Sequence, residues 1–388
     1  MISFENTEIA FKSKTNKELK RAYYLFKTIG NPAIVKTSKL FTKIALGLHL
    51  PIGWAVKPTL YKQFVGGETL EDCKPAVEHL AQYGVQSILD YSVEGGDSIA
   101  AIESALKETL RAINFAAHHP NIPFAVFKPT AFAESDLLTK ASADKELNPS
   151  EKKELEKFHL RIEQLCQQAY DNNIPILIDA EDYSFQAEID RVVLKMMRKF
   201  NTKATIVFNT FQMYRWDRLP YLKELYAIAD KEFFQVGAKF VRGAYMEKER
   251  ERAEKMGYPS PIHPNKEATD KDYNAALKFS MENLDRISIF NGTHNEESSL
   301  YLTQLMKEKG ISKKDPRIFF SQLYGMSDHI SFNLANAGYN VAKYVPYGPV
   351  KHVLPYLLRR AEENTSVAGQ SSRELNLLKK EYTRRKRR

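Results

Sequence analysis

The chain has only two cysteines, Cys73 and Cys166, far apart in sequence. That excludes a disulfide framework and a cysteine-built metal site, and both read as packing residues in a reducing compartment. No apolar run approaches the ~18 residues that a membrane-spanning helix requires. The best candidate, residues 44–56 (IALGLHLPIGWAV), is too short and contains His49 and Pro51, so it reads as a buried or interfacial segment. The amino terminus carries Glu5 and Glu8 and lacks an apolar stretch followed by a small-residue cleavage site. No secretory or transit signal is therefore expected, and the expected location is cytoplasmic. No glycine-rich phosphate turn follows an early strand; only Gly66 and Gly67 come near, which argues against an open doubly wound nucleotide-binding sheet. The basic residues are not interleaved with exposed aromatics and no recognition motif appears, so nucleic acid is not an expected partner.

What is present is a soluble α/β chain of 388 residues. From residue 87 onward, eight short runs rich in β-branched and aromatic residues alternate with longer stretches at helical spacing. The runs are 87–93, 124–131, 175–181, 203–211, 238–245, 286–294, 317–325 and 340–348. The intervening segments, such as SIAAIESALKETLRAINFAA and AEIDRVVLKMMRKF, repeat apolar residues three and four apart. Near-continuous apolar strands separated by helices imply parallel strands buried on both faces, and eight such units imply a (β/α)8 TIM-type barrel. Residues 1–85 read as a helical, basic amino-terminal arm, 86–370 as the barrel and 371–388 as a basic carboxyl-terminal tail. Residues 132–157 and the stretch after Tyr245 are charged excursions of the kind from which barrels build sites and lids.

The net charge is +9, and five of the basic residues close the chain as RRKRR, Arg384 to Arg388. A terminal charge run reads as a solvated tail. The sharper reading is contact with anionic lipid headgroups, where each cation near the surface contributes roughly 1 kcal/mol.

Polar residues collect at the carboxyl ends of the strands: Asp90 with Glu94, Lys128, Asp179 with Glu181, Gln212, Arg242 with Tyr245, Thr293 with His294 and Asn295, Gln322, and Tyr344 with Tyr347. Each alone has a structural explanation as a rim residue or a turn cap; in a barrel all of them converge on one mouth. The eighth strand is followed by PYLLRRAEENT, in which Arg359 and Arg360 stand about 100° apart on a helix. Two guanidinium forks can approach one small anion from different sides, while Glu363, four residues after Arg359, has the spacing of an intrahelical ion pair. The site reads as one for an anionic substrate, with Lys128 as a third cation.

The segments FVGGET near residue 64, FKPTA around Lys128, DAE at Asp179, NTFQMY, FVRGAYMEKERERAEKMGYPSPIHPNKEATD from Phe240, GTHN, QLYGM and YVPYGPVKHVLPYLLRRAEENTS from Tyr344 together resemble the proline dehydrogenase family. The resemblance spans roughly residues 60–367. It implies a distorted (β/α)8 barrel that binds FAD, with the last helix bearing the paired arginines. By that resemblance Arg359, Arg360 and Lys128 hold the carboxylate of L-proline, Tyr344 and Tyr245 pack on its ring, and carbon 5 faces the flavin for hydride transfer. The resemblance further implies that Asp179, Gln212, Arg242, Gly243, Ala244, Thr293, His294, Asn295, Gln322 and Glu363 touch or support FAD. By the same resemblance Glu94 would be the acidic partner that pairs with Arg359 over the site. The family implies electron delivery to a membrane quinone, hence a peripheral position at the inner face of the membrane with the tail and the arm in contact with it. The chain has no room for the aldehyde-oxidising domain of larger relatives, so a separate pyrroline-5-carboxylate dehydrogenase is expected to take the product. Three other readings stand beside this one: preference for hydroxyproline, a barrel using Lys128 as a Schiff-base nucleophile, and a basic membrane adaptor without catalysis.

Overall fold

The computed structural model describes residues 2–31, 56–92, 98–366 and 370–387, without the side chains of 361–366 and 370–372. Glu94 lies outside the described residues, and so does the side chain of Glu363.

Eight strands are described: β1 Gln86–Tyr91, β2 Ala125–Phe127, β3 Ile176–Ile178, β4 Val207–Gln212, β5 Val236–Val241, β6 Ile287–Gly292, β7 Ile318–Leu323 and β8 Val341–Tyr347. Each falls within or against one of the eight apolar runs. Their order in one sheet is β1-β8-β7-β6-β5-β4-β3-β2, and the described ladders are parallel. This is the strand order of a (β/α)8 barrel. Helices separate successive strands, among them Ile99–Ala117, Tyr183–Phe200, Arg218–Glu232 and Glu296–Glu308. β2 is short because its run continues into Pro129, which has no N–H for a ladder; Pro129–Ala131 form a 3₁₀ turn instead.

The chain divides into two compact units, one made of Met1–Val93 with Gln322–Arg388, the other of Glu94–Ser321. Within the second unit an aromatic layer fills the interior. Phe124, just before β2, meets Phe208 of β4, Phe290 of β6 and Phe319 of β7 edge-on, at centroid distances of 5.5, 5.2 and 4.9 Å. The excursion at 132–157 is less polar in space than in sequence. Leu137, Leu138 and Ala141 of the helix Ser135–Ser142 are buried. Asn148 starts the next helix, Pro149–Asp171, by a reciprocal cap with Glu151.

The first unit is held by a cluster drawn from both ends of the chain. Phe11, Leu19, Phe26, Tyr61 and Phe64 pack with Val353, Tyr356 and Leu357 of the helix Val350–Ser366 and with Leu377 and Leu378 of the helix Gln370–Lys386. The closing basic run therefore differs from a solvated tail: Arg384 and Arg385 belong to this last helix. Both pair with Glu381, which is fully buried, and Arg385 also donates to the backbone carbonyls of Phe11 and Lys14, each at 2.8 Å. A buried carboxylate needs such partners, and the sequence supplies them three and four residues later.

Candidate active site

Strand ends of the second unit bring charge together. Lys128 follows β2 and Asp179 follows β3, with the Asp179 N–H donating to the carbonyl of Phe127 at 3.0 Å. Lys239, inside β5, reaches the same carboxylate: its Nζ lies 2.5 Å from Asp179 Oδ1, while Lys128 Nζ lies 3.7 Å from Oδ2. Sequence reasoning misses Lys239. Its signal is a charge in a strand otherwise apolar on both faces, a position tolerable only with a nearby carboxylate.

Glu181 stands two residues beyond Asp179. Its carboxyl accepts hydrogen bonds from the N–H of Thr130 at 2.9 Å and from the Thr130 hydroxyl at 2.6 Å. Burial nevertheless pushes it up to about 7, against the opposing pull of those bonds and of Lys128. The Glu181 carbonyl also accepts from Nε2 of Gln212 at 3.0 Å, which fixes the amide at the end of β4. Oε1 of Gln212 is then a buried acceptor without a hydrogen-bond donor.

After β5, Arg242 is closely engaged. It bonds Asp270 through Nε and Nη2 at 2.9 and 2.6 Å, Thr293 Oγ1 at 2.6 Å and Ser298 Oγ at 3.0 Å, and its plane covers the Tyr273 ring at 4.3 Å. Burial would raise Asp270, but Lys266 and Arg242 outweigh it and hold the carboxylate below its usual range. Gly243 has φ of 119°, and a Cβ there would fall 2.4 Å from the Tyr214 ring. Only glycine fits both the backbone and that contact. Ala244 is exposed, and Tyr245, half-buried, starts the helix Met246–Met256 with Lys248 5.7 Å from its ring.

At the end of β6, Thr293 is buried between Arg242 and the Asn295 N–H, which donates to its hydroxyl at 3.1 Å. His294 is half-buried. Asn295 caps the following helix by accepting from the Ser298 N–H at 2.8 Å. Its described contact is thus a structural one.

In the first unit, Gln322 and Tyr344 lie within β7 and β8 rather than at their ends, and both are buried. Gln322 Oε1 accepts from Ser331 Oγ at 2.6 Å, and the Tyr344 carbonyl accepts from the Tyr324 N–H at 2.9 Å. The helix Val350–Ser366 carries Arg359, half-buried, and Arg360, which is buried with its guanidinium 5.1 Å from the Tyr356 ring.

The family model for proline dehydrogenase matches residues 73–373. The carbapenem antibiotics biosynthesis protein CarD of Pectobacterium carotovorum subsp. carotovorum is 36% identical, over 83% of this chain and 83% of that protein. Proline dehydrogenase 1, mitochondrial, of Dictyostelium discoideum is 31% identical over 98% of this chain and 74% of that protein. Hydroxyproline dehydrogenase of Xenopus laevis is 32% identical over 97% and 88%. Among solved structures, proline utilization A (PutA) from Bdellovibrio bacteriovorus, inactivated by N-propargylglycine, superposes with a TM-score of 0.73 at 20% identity. That likeness supports the (β/α)8 fold. It covers 93% of this chain but only 38% of the PutA chain, so this chain spans well under half of that protein.

Proposed function

The chain belongs to the proline dehydrogenase family, and from that premise we propose that it oxidises L-proline at the CH–NH group to Δ1-pyrroline-5-carboxylate, with FAD as resident cofactor. The observation that carries this reading is the half-buried cluster of Lys128, Asp179 and Lys239 at and within the strands of the second unit. It lies inside the stretch that the family model matches.

The residues fit a flavin on two counts. Gln212 Oε1 is a buried acceptor awaiting a donor, as a ring N–H would provide. Gly243, its other side packed on the Tyr214 ring, and Ala244 are both exposed, so their backbone can be approached closely after β5. Asp179, Gln212, Arg242, Gly243, Ala244, Thr293, His294, Asn295, Gln322 and Glu363 would hold the cofactor, with Arg242 fixed by Asp270 before any ligand arrives. FAD, when bound, supplies the acceptor for the two electrons that leave proline as hydride.

The chain's own part is orientation. By this proposal Arg359 and Arg360 would take the substrate carboxylate, Lys128 would add a third cation, Tyr344 and Tyr245 would pack on the ring, and Glu94, which lies outside the described residues, would be the acidic partner of Arg359. Anchoring one end of a small rigid substrate fixes the direction of the C5–H bond, and such positioning can account for several kcal/mol of a barrier, ~7 or more. The amine yields its proton before or during hydride loss.

A second reading, 4-hydroxyproline as substrate, is favoured by the match to hydroxyproline dehydrogenase. Tyr344 argues for proline, because a ring packed on the substrate would crowd a hydroxyl at carbon 4. Among the described residues no helix is long and apolar enough to cross a membrane. Electrons would pass to a membrane quinone and the imine product to a separate dehydrogenase. Leu377 and Leu378 being buried, headgroup contact by the last helix would fall to exposed cations such as Lys379 and Lys380.

The test is an anaerobic absorbance spectrum of the purified protein before and after L-proline. Flavin bands that bleach with proline and not with trans-4-hydroxy-L-proline support the reading. Bleaching only with the hydroxylated substrate would replace it by the second, and a protein that takes up no FAD would return it to the Lys128 Schiff-base barrel.

A further inference from the structure

The FVGGET segment carries part of the family resemblance but none of the assigned site residues. Its contacts all lie in the first unit, and they converge on the turn between β8 and the arginine-bearing helix. Gly348 makes that turn with φ of 143°, a conformation natural only to glycine. Both of its backbone groups are held by the same short segment. Its N–H donates to the Gly67 carbonyl at 3.0 Å, and its carbonyl accepts from the Tyr61 hydroxyl at 2.8 Å. One residue earlier the segment runs alongside the end of β8: Gly66 N–H donates to the Pro346 carbonyl at 2.9 Å, and Gly67 bridges Tyr347. Tyr61, Phe64 and Val65 then pack in one buried cluster with Val353, Tyr356 and Leu357, the turns of helix just ahead of Arg359 and Arg360.

We propose that residues Tyr61–Gly67 grip the Gly348 hinge, and that Tyr61 is a positioning residue which sets where the arginine-bearing helix holds the substrate carboxylate. The proposal deepens the reading of Arg359 and Arg360 as the carboxylate anchor and rests on it. A glycine at positive φ can absorb large rotations, so it is where a helix would swing relative to its strand. With both polar groups of Gly348 bonded to one segment, the rotation is braced. Tyr61 supplies the sole side-chain contribution to that pair of bonds. It is buried, and burial raises its hydroxyl above the ordinary tyrosine value, so the group stays protonated and donating at any physiological pH.

Tyr61→Phe keeps the ring in the cluster and removes one hydrogen bond. The loss is expected to raise KM for L-proline about fivefold, the effect of one neutral hydrogen bond, with kcat within about twofold and flavin content unchanged. Amide exchange over residues 348–357, followed by mass spectrometry, should quicken. Tyr382→Phe, in a side chain packed against the same cluster, serves as the control for general loosening and should leave KM as in the wild type. An unchanged KM in Tyr61→Phe, or an equal rise in the control, overturns the proposal. If the wild-type flavin is not reduced by proline, it is the substrate reading that has failed, and exchange alone then judges the grip: faster exchange supports it and unchanged exchange overturns it.

Discussion

Among the described residues, two lysine–aspartate–lysine groups are each built on a lysine inside a strand, one in each unit, and they differ in how tightly they are closed. In the first unit Lys343, in the middle of β8, pairs with Asp328 at 2.9 Å, and Lys14 reaches the other oxygen at 3.0 Å. Lys343 also donates to the carbonyls of Leu323 and Met326. In the second unit Lys239, in β5, pairs with Asp179 at 2.5 Å, but Lys128 stands off at 3.7 Å with 23% of its side chain exposed. The Lys343 side chain is 1% exposed and Asp328 5%. Lys14 is itself 20% exposed, so the two groups differ less in exposure than in closure: the second cation stands 3.0 Å from its carboxylate in the first and 3.7 Å in the other. The looseness of the second partner is what separates the two groups, and under the proposed function the looser cation is the one that meets the substrate.

The largest effect should come from opening the closed triad. Burial pulls Lys343 below the ordinary lysine value, whereas burial alone would raise Asp328, and Lys14 with Lys343 hold it well below the usual carboxylate range. Lys343→Met leaves Asp328 buried with a single partner, and loss of one member of such a pair costs about 3 kcal/mol or more. Urea unfolding should show the midpoint fall without any specific change in KM. A loss below about 1 kcal/mol would mean that the two triads do not differ as described.

How far the comparison could be read from sequence follows from what each feature depends on. The eight strands were legible because burial on both faces demands unbroken β-branched and aromatic runs. Their ends were less so: the second run includes Pro129, which redirects the chain into a turn. The paired arginines stood out because two adjacent cations on a half-apolar helix need an anion. Partners distant in sequence were invisible. Nothing in FVRGAY indicates that Asp270, 28 residues on, will engage Arg242, and nothing in RRKRR shows that Arg385 will donate to the carbonyls of Phe11 and Lys14. Lys239 and Lys343 carry the same signal, a charge inside an otherwise apolar strand, and sequence reasoning singles out neither. Sequence could not assign one to a brace and the other to a site, because that rests on where Asp328 and Asp179 come to lie.

A middle-sized effect should expose what the open site tolerates. Glu181 is raised to about 7 by burial, so the folded protein binds a proton more tightly than the unfolded chain does. The sign follows from linkage: its contribution is full below the ordinary glutamate value and is lost as pH rises through about 7. Glu181→Gln retains an acceptor for Thr130 and removes the ionisation. The variant should gain on the wild type by about 2 to 3 kcal/mol between pH 4.5 and 8, since a tenfold change in proton affinity is equivalent to about 1.4 kcal/mol. Parallel stability–pH curves would show that Glu181 is solvated and the site wetter than its burial implies.

The smallest stability effect belongs to Lys128, and that is what makes it informative. Asp179 keeps Lys239 at 2.5 Å when Lys128 is lost, and a half-open ion pair at 3.7 Å contributes no more than about 1 kcal/mol. Lys128→Met should therefore unfold at nearly the wild-type urea concentration. If this partly exposed cation serves the substrate carboxylate, KM for L-proline should rise at least about tenfold, the equivalent of about 1.4 kcal/mol of lost charge-assisted contact, while FAD remains bound. A variant that is destabilised as much as Lys343→Met, yet binds proline normally, would make the second triad a brace like the first and move the carboxylate contact to the arginines alone.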